Sequence, residues 1–176
     1  MNNFQTPERM RLVESMKELG SVFSERADKY DSEASFPYEN FADLKDAGFL
    51  ALCIPEDHGG MGADFVTYAL VSEELGRHCG STALTFNMHT ASMLLTGQIS
   101  DDLEMSPMQR KDHAEKRSLM WKGVVESGHI HAQPFSEGNQ AGEGAGISSR
   151  AVPVEGGFRV TGKKIFASLS EAADRH

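Results

Sequence analysis

The chain changes its sequence periodicity at His129, and this change limits what it can fold into. Before that point apolar residues recur at intervals of three and four, as in the set Leu12, Met16, Leu19 and Phe23, which is typical of amphipathic helices. From His129 onward, short alternating runs are joined by glycines. Helices followed by strands predict an α+β protein. We expect an all-α domain at residues 1–128 and the start of a β domain at residues 129–176.

Helix-starting residues mark most of the five predicted helices. Thr6-Pro7 and Ser106-Pro107 each place a hydroxyl before a proline, and Asp64 supplies a capping carboxylate. The first helix is expected to expose its charged residues 26–33. The third is expected to end at Gly76. The fourth, residues 81–97, is apolar on nearly all sides, which predicts burial.

A glycine turn organises the β part. Glu155-Gly156-Gly157 separates residues 147–154 from residues 158–162, which predicts a hairpin. The chain then continues through residues 163–168, which we expect to be extended. Strand ends that carry Phe135-Ser136 and Phe166-Ala167-Ser168 could offer hydroxyls, backbone amides and a flat ring to one planar ligand.

Composition argues against several classes of function. The formal net charge is −9, from 17 Lys and Arg against 26 Asp and Glu, and no basic stripe is visible, which argues against nucleic-acid binding. The apolar runs are too short to span a bilayer. No secretory or transit signal is visible at the first residues. Two cysteines, Cys53 and Cys79, fit buried thiols in a reducing compartment, so we expect a cytoplasmic protein.

Several segments in a fixed order carry a family resemblance. They include Ile54-Pro55-Glu56 leading into Gly59-Gly60-Met61-Gly62, then Glu73-Glu74-Leu75-Gly76, and then the apolar helix with His89. Gln133-Pro134-Phe135-Ser136-Glu137 and Gly162-Lys163-Lys164-Ile165-Phe166-Ala167-Ser168 complete the set. Together they resemble the acyl-CoA dehydrogenase family of flavoproteins.

The resemblance implies three domains: an N-terminal all-α domain, a middle β-barrel and a C-terminal helical domain. This sequence resembles the first domain and the start of the second, with the C-terminal helical domain absent. The expected activity is FAD-dependent α,β-dehydrogenation of an acyl-CoA thioester in lipid metabolism. The glutamate base is expected to lie outside this chain. The implied partners are an electron-transferring flavoprotein or another acceptor, and further copies of the full-length chain in a homodimer or homotetramer.

The resemblance also implies cofactor-binding residues. Gln133, Phe135 and Ser136 match the strand beside the flavin pyrimidine edge, where hydrogen-bond donors tune the cofactor. Phe166 matches a position usually held by a tryptophan that packs against the flavin, and Ser168 matches the hydroxyl residue near the flavin N5. The alternatives are that Ser136 satisfies a strand end and that Phe166 is a core residue.

Substrate contacts are implied at two places. Gly142 stands where a serine commonly contacts the CoA part of the substrate, in a loop that departs from the usual Glu-Pro-x-x-Gly-Ser-Asp pattern. Met88, Met93 and Leu95 would line the acyl pocket on the apolar helix. An ordinary surface loop and pure core packing compete with these two interpretations.

Other functions stay open at this stage. The altered loop and Phe166 motivate a flavin-dependent monooxygenase or oxidase that acts on a substrate without CoA. The short chain motivates a non-catalytic truncated or split subunit. His129 and His131 form a His-x-His pair, but a metal site needs further ligands that the sequence does not supply, so we expect no metal.

Overall fold

Five α-helices and one β-hairpin occupy the part of the chain that the structure, a computed structural model, describes: residues 4–138 and 147–175. The helices are α1 Pro7–Glu33, α2 Tyr38–Asp46, α3 Phe65–His78, α4 Gly80–Leu94 and α5 Pro107–Ser127. The strands are β1 Arg150–Val154 and β2 Gly157–Thr161. This order confirms the predicted α+β class, with helices first and strands after them.

Polar caps begin three of the helices as predicted. The Thr6 side chain accepts a hydrogen bond from the backbone N–H of Arg9, and Asp64 accepts one from Thr67 at 2.8 Å. Ser106 and Gln109 form a reciprocal capping box at the start of α5. Each cap satisfies a backbone donor that the first helical turn leaves without a partner, an effect of about 1 kcal/mol.

Two helix predictions were wrong in detail. Helix α3 continues past Gly76 to His78 and ends at Cys79, whose backbone is extended. A glycine ends a helix where the chain turns left-handed, and Gly76 does not adopt a positive φ. The end of α1 is not uniformly exposed, because Tyr30 is buried and Arg26 donates to Asp43 at 2.6 Å.

The core of the helical part is built around the apolar run from Phe49 to Ile54. Every residue of that run is buried, and its short 3-10 turn Phe49–Ala51 contacts α2, α4 and α5. Helices α1, α3 and α4 pack in succession around this centre. Helix α4 presents Phe86, His89 and Met93 to the core with no exposed surface, as its apolar character predicts.

Beyond α4 the helical path is irregular. A π-helical turn, Leu95–Ile99, contains Gly97 in a non-helical backbone conformation. A Cβ on Gly97 would lie 3.3 Å from the ring of the buried Trp121, so the glycine allows α5 to pack closely here. Within the described residues, no helix is both long and apolar enough to cross a bilayer.

The hairpin forms as predicted, with a tighter turn. Antiparallel pairing places Val154 opposite Gly157, so Glu155-Gly156 alone make the turn and Gly156 adopts φ +80°. Both strands are exposed along their whole length. The extended run expected at residues 163–168 was wrong. No strand forms there, and Phe166 turns the backbone into the left-handed region at φ +55°.

Candidate functional site

Two segments, residues 130–137 and residues 164–175, meet at two points. At one end the N–H of Ile165 donates to the Ser136 carbonyl at 2.9 Å. At the other end the N–H of Ala132 donates to the Arg175 carbonyl at 2.9 Å, and that of Asp174 donates to the Ile130 carbonyl at 2.8 Å. Residues 133–135 span the same gap as residues 166–174. The longer segment therefore folds into a turn between the two pinned ends.

A buried carboxylate closes the first end. Glu137 is almost fully buried and accepts hydrogen bonds from the Lys164 ammonium at 2.7 Å and from the Ser149 N–H at 3.1 Å. It also accepts from both the N–H and the hydroxyl of Ser148. The hydrogen bond from Lys164, followed by those from the serines, holds the pKa of Glu137 well below its usual range. Glu137 therefore ties both segments to the start of the hairpin as an anion.

Two exposed aromatic rings and several backbone and hydroxyl groups lie between these two hydrogen-bonded ends. The Phe135 and Phe166 side chains are 63% and 82% exposed. Ser136 and Ser168 are half-buried. Among the described residues, the N–H groups of Phe135 and Ser136 donate no backbone hydrogen bond. The arrangement can accept a flat ligand with polar edges.

A buried histidine joins the helical part to this site. The Nε2 of His89 lies 2.8 Å from the Leu50 carbonyl, and its Nδ1 lies 3.0 Å from the backbone nitrogen of His131. A carbonyl only accepts and an amide N–H only donates, so Nε2 carries the proton and the ring is neutral. Burial lowers the pKa of His89 to about 4.

His131 also carries an unsatisfied atom. Its Nε2 is buried and has no hydrogen-bond partner in the described part of the chain. Burial, aided by the neighbouring His129 and Arg175, lowers the pKa of His131. Residues 4–138 and 147–175 contain no group of three or more His, Cys, Asp or Glu placed to hold a metal ion.

The five residues expected at the flavin lie on the two paired segments. Gln133, Phe135 and Ser136 lie on one segment, and Phe166 and Ser168 lie on the other. Phe166 is 82% exposed within this chain. Two residues that join the segments, Glu137 and Lys164, had no role assigned from the sequence. They are 27 residues apart, and a charged pair at that separation leaves no local signal.

The expected substrate residues divide into different environments. Met93 is fully buried in the helical core, whereas Met88 is partly buried and Leu95 is 40% exposed. Met88 and Leu95 are seven residues apart, which places them on the same helical face. Gly142 lies outside the described residues.

Two cavities lie elsewhere in the fold. One of about 550 Å³ is lined by Arg9, Glu56 and Asp64, among others, and another of about 580 Å³ by His58, Arg117 and Leu119, among others. The Arg9 guanidinium is held there by Asp64 and Thr67. Neither cavity includes a residue of the two paired segments.

Comparison with known families decides the relationship. The model of the acyl-CoA dehydrogenase N-terminal domain matches residues 6–100. The chain belongs to the acyl-CoA dehydrogenase family. This is a family of oxidoreductases and flavoproteins, and the match confirms the family expected from the sequence.

Curated relatives match almost the whole chain at low identity. The probable acyl-CoA dehydrogenase YngJ of Bacillus subtilis is 24% identical over 174 residues, which cover 98% of this chain and 43% of that protein. Cyclohex-1-ene-1-carbonyl-CoA dehydrogenase of Syntrophus aciditrophicus is 29% identical over 180 residues, which cover 98% of this chain and 39% of that protein. The chain spans about two fifths of the length of these relatives.

Solved structures share the fold. The electron transferring flavoprotein structure from Acidaminococcus fermentans matches with a TM-score of 0.78 at 21% identity, covering 99% of this chain and 43% of that one. KijD3, in complex with FMN and a dTDP-linked amino sugar, matches with a TM-score of 0.79 at 19% identity, and the match covers 96% of this chain and 39% of KijD3. FMN-bound TdsC of Paenibacillus, a dibenzothiophene monooxygenase, matches with a TM-score of 0.73 at 21% identity, and the match covers 93% of this chain and 38% of TdsC. At such identities the likeness shows the fold alone.

The residues present fit a flavin. An isoalloxazine ring system needs donors at its pyrimidine edge and apolar cover on a face. The N–H groups of Phe135 and Ser136, which donate no backbone hydrogen bond within the described residues, and the two exposed rings would supply both kinds of contact. Glu137 and Lys164 neutralise each other at 2.7 Å, so the net local charge from this pair is near zero.

Proposed function

We propose that this chain is the N-terminal part of an FAD-dependent acyl-CoA dehydrogenase that catalyses α,β-dehydrogenation of an acyl-CoA thioester. The single observation that carries the proposal is the pair of segments with free backbone donors and exposed Phe135 and Phe166, in a chain of this family. The names of the relatives YngJ and cyclohex-1-ene-1-carbonyl-CoA dehydrogenase support the reaction class.

Each residue has a defined part in this proposal. Gln133, Phe135 and Ser136 would hold the pyrimidine edge of FAD, Phe166 would cover a face of the ring, and Ser168 would lie beside N5. When bound, FAD accepts the hydride that leaves the β carbon of the thioester. The chain's own task is to orient that ring and to supply donors where negative charge develops. No residue of this chain is proposed as the catalytic base.

The substrate would approach from α4 and the loop after Glu137. Met88 and Leu95 share a helical face that stays partly open, so they are the residues we propose for acyl-chain contact. Met93 packs in the core and would act by supporting that face. Gly142 is proposed at the CoA portion, where the loss of the family's usual serine removes a hydroxyl.

Partners of the whole protein follow from the same proposal. Reduced flavin must be reoxidised, and we propose an electron-transferring flavoprotein or another electron acceptor for that step. We propose a homodimer or homotetramer for the full-length protein. A reducing, cytoplasmic setting is supported by the two free, buried cysteines.

A monooxygenase or oxidase that uses a substrate without CoA is the second candidate. Phe166 in place of the usual tryptophan and the altered loop at residues 138–143 favour it, and TdsC and KijD3 share the fold. Such an enzyme would use reduced flavin and oxygen instead of passing electrons to a protein acceptor.

Anaerobic flavin bleaching separates the candidates. Full-length protein is purified with its flavin and mixed, without oxygen, with acyl-CoAs of different chain length and branching. The dehydrogenase proposal predicts loss of the oxidised-flavin absorption with at least one thioester. The matched control is each free acid, which lacks the thioester that acidifies the α proton. No bleaching with any thioester, together with oxygen uptake on adding reduced flavin, would support the monooxygenase instead.

A further inference from the structure

His89 contacts two parts of the fold that are distant in sequence. It lies on α4, donates to the Leu50 carbonyl of the central apolar run and accepts from the His131 N–H of the 130–137 segment. Both ring nitrogens are used, and no surface of His89 is exposed. One side chain therefore fixes the segment's position relative to the helical core.

The same segment is held from its other side. The N–H of Ile130 donates to Asp174 Oδ2 at 2.8 Å, and that of Ala132 donates to the Arg175 carbonyl at 2.9 Å. The N–H of His131, between them, donates to His89. Successive N–H groups of an extended chain point to opposite sides, so the segment is gripped between α4 and residues 174–175.

We infer that His89 is a positioning residue for the flavin-facing segment: through the His131 N–H it sets where the free donors of Phe135 and Ser136 lie. This inference rests on the proposed function. Phe135 and Ser136 follow His131 by four and five residues, a reach of roughly 13–17 Å in extended chain. Across so short a run, with a proline at 134 that limits backbone rotation, a shift at His131 reaches the donors.

The sequence and the burial of His89 argue for this role over simple core packing. The other large buried side chains of α4, Phe86 and Met93, are apolar. A buried imidazole costs free energy unless both nitrogens are satisfied. An apolar residue in its place would leave two buried backbone groups, the Leu50 carbonyl and the His131 N–H, without partners.

Two variants divide the contacts of His89. In His89→Asn the amide oxygen occupies the place of Nδ1 and still accepts from the His131 N–H. The shorter side chain no longer reaches the Leu50 carbonyl, so that hydrogen bond is lost. In His89→Gln the terminal amide reaches the Leu50 carbonyl, whereas the acceptor for His131 is lost. Each variant removes one buried hydrogen bond at the same buried position. We therefore expect the two variants to lower the free energy of unfolding by similar amounts.

The measurements use full-length protein with and without flavin. We expect His89→Gln to raise the flavin Kd about tenfold, since one lost buried hydrogen bond is of that size, and to shift the flavin reduction potential. We expect His89→Asn to keep the Kd within about twofold. In flavin-free protein, amide exchange at His131 should be faster in His89→Gln than in His89→Asn.

The outcomes separate this inference from the proposed function. Equal flavin affinity, potential and His131 exchange in the two variants would overturn it and leave His89 as a packing residue. If wild-type full-length protein holds no flavin, the proposed function fails. In that case the His131 exchange rates decide whether His89 positions the segment.

Discussion

Acid should destabilise this protein through His89. The ring is neutral in the folded chain because both nitrogens are committed and burial lowers its pKa to about 4, from an ordinary value of 6.5. The unfolded chain binds the proton more readily, so stability is lost as the pH falls from 6.5 towards 4.

The size of this effect follows from the two pKa values. One pKa unit corresponds to about 1.4 kcal/mol. Linkage through His89 therefore removes about 2 kcal/mol from the free energy of unfolding between pH 7 and pH 5, and about 3 kcal/mol by pH 4. Domains of this size have a stability of roughly 5–15 kcal/mol, so the loss is measurable.

This loss in the free energy of unfolding can be measured by urea denaturation of the 176-residue chain at pH 7, 6, 5 and 4. The reference is His89→Asn, which cannot be protonated in this range and which keeps the acceptor for His131. Other titrating groups, including His131, are common to both proteins. The wild type should lose about 3 kcal/mol more than the variant between pH 7 and 4. Parallel pH profiles would refute the argument that His89 is buried and neutral.

Two further predictions concern the paired segments. Glu137→Gln removes the partner of Lys164 and should speed amide exchange at the start of the hairpin in a mass-spectrometric measurement. Glu155→Gln, at the exposed turn, should not, and equal rates in the two variants would contradict the role of Glu137 in holding the start of the hairpin. Phe166→Ala should change the stability of the flavin-free chain by less than about 0.5 kcal/mol while weakening flavin binding to full-length protein roughly tenfold. Phe158→Ala removes another exposed ring, on the hairpin, and should leave flavin affinity unchanged in the same titration.

The helix starts could be predicted because their signals are local. A cap such as Asp64 and the N–H that it satisfies lie three residues apart, so the sequence contains both partners within one turn. The hairpin turn is equally local, since Gly156 supplies the positive φ that a two-residue turn requires. Family membership could be predicted because it rests on the order of many such short segments.

Contacts between distant segments could not be predicted in this way. The pairing of Glu137 with Lys164 joins residues 27 apart, and that of His89 with His131 joins residues 42 apart. The extended run expected at residues 163–168 failed for the same reason. Residues 165–174, which include most of that run, are hydrogen-bonded at both ends to the shorter segment, so they must turn, and Phe166 adopts a left-handed backbone that its residue type does not favour.

The sequence by itself therefore determined where the helices begin, where the hairpin turns and which residue types reach the site. The tertiary structure alone decided which of them meet. Burial and hydrogen-bond satisfaction act between residues that the fold brings together. A buried histidine and a buried carboxylate thus acquire their roles only when their partners from distant parts of the chain are in place.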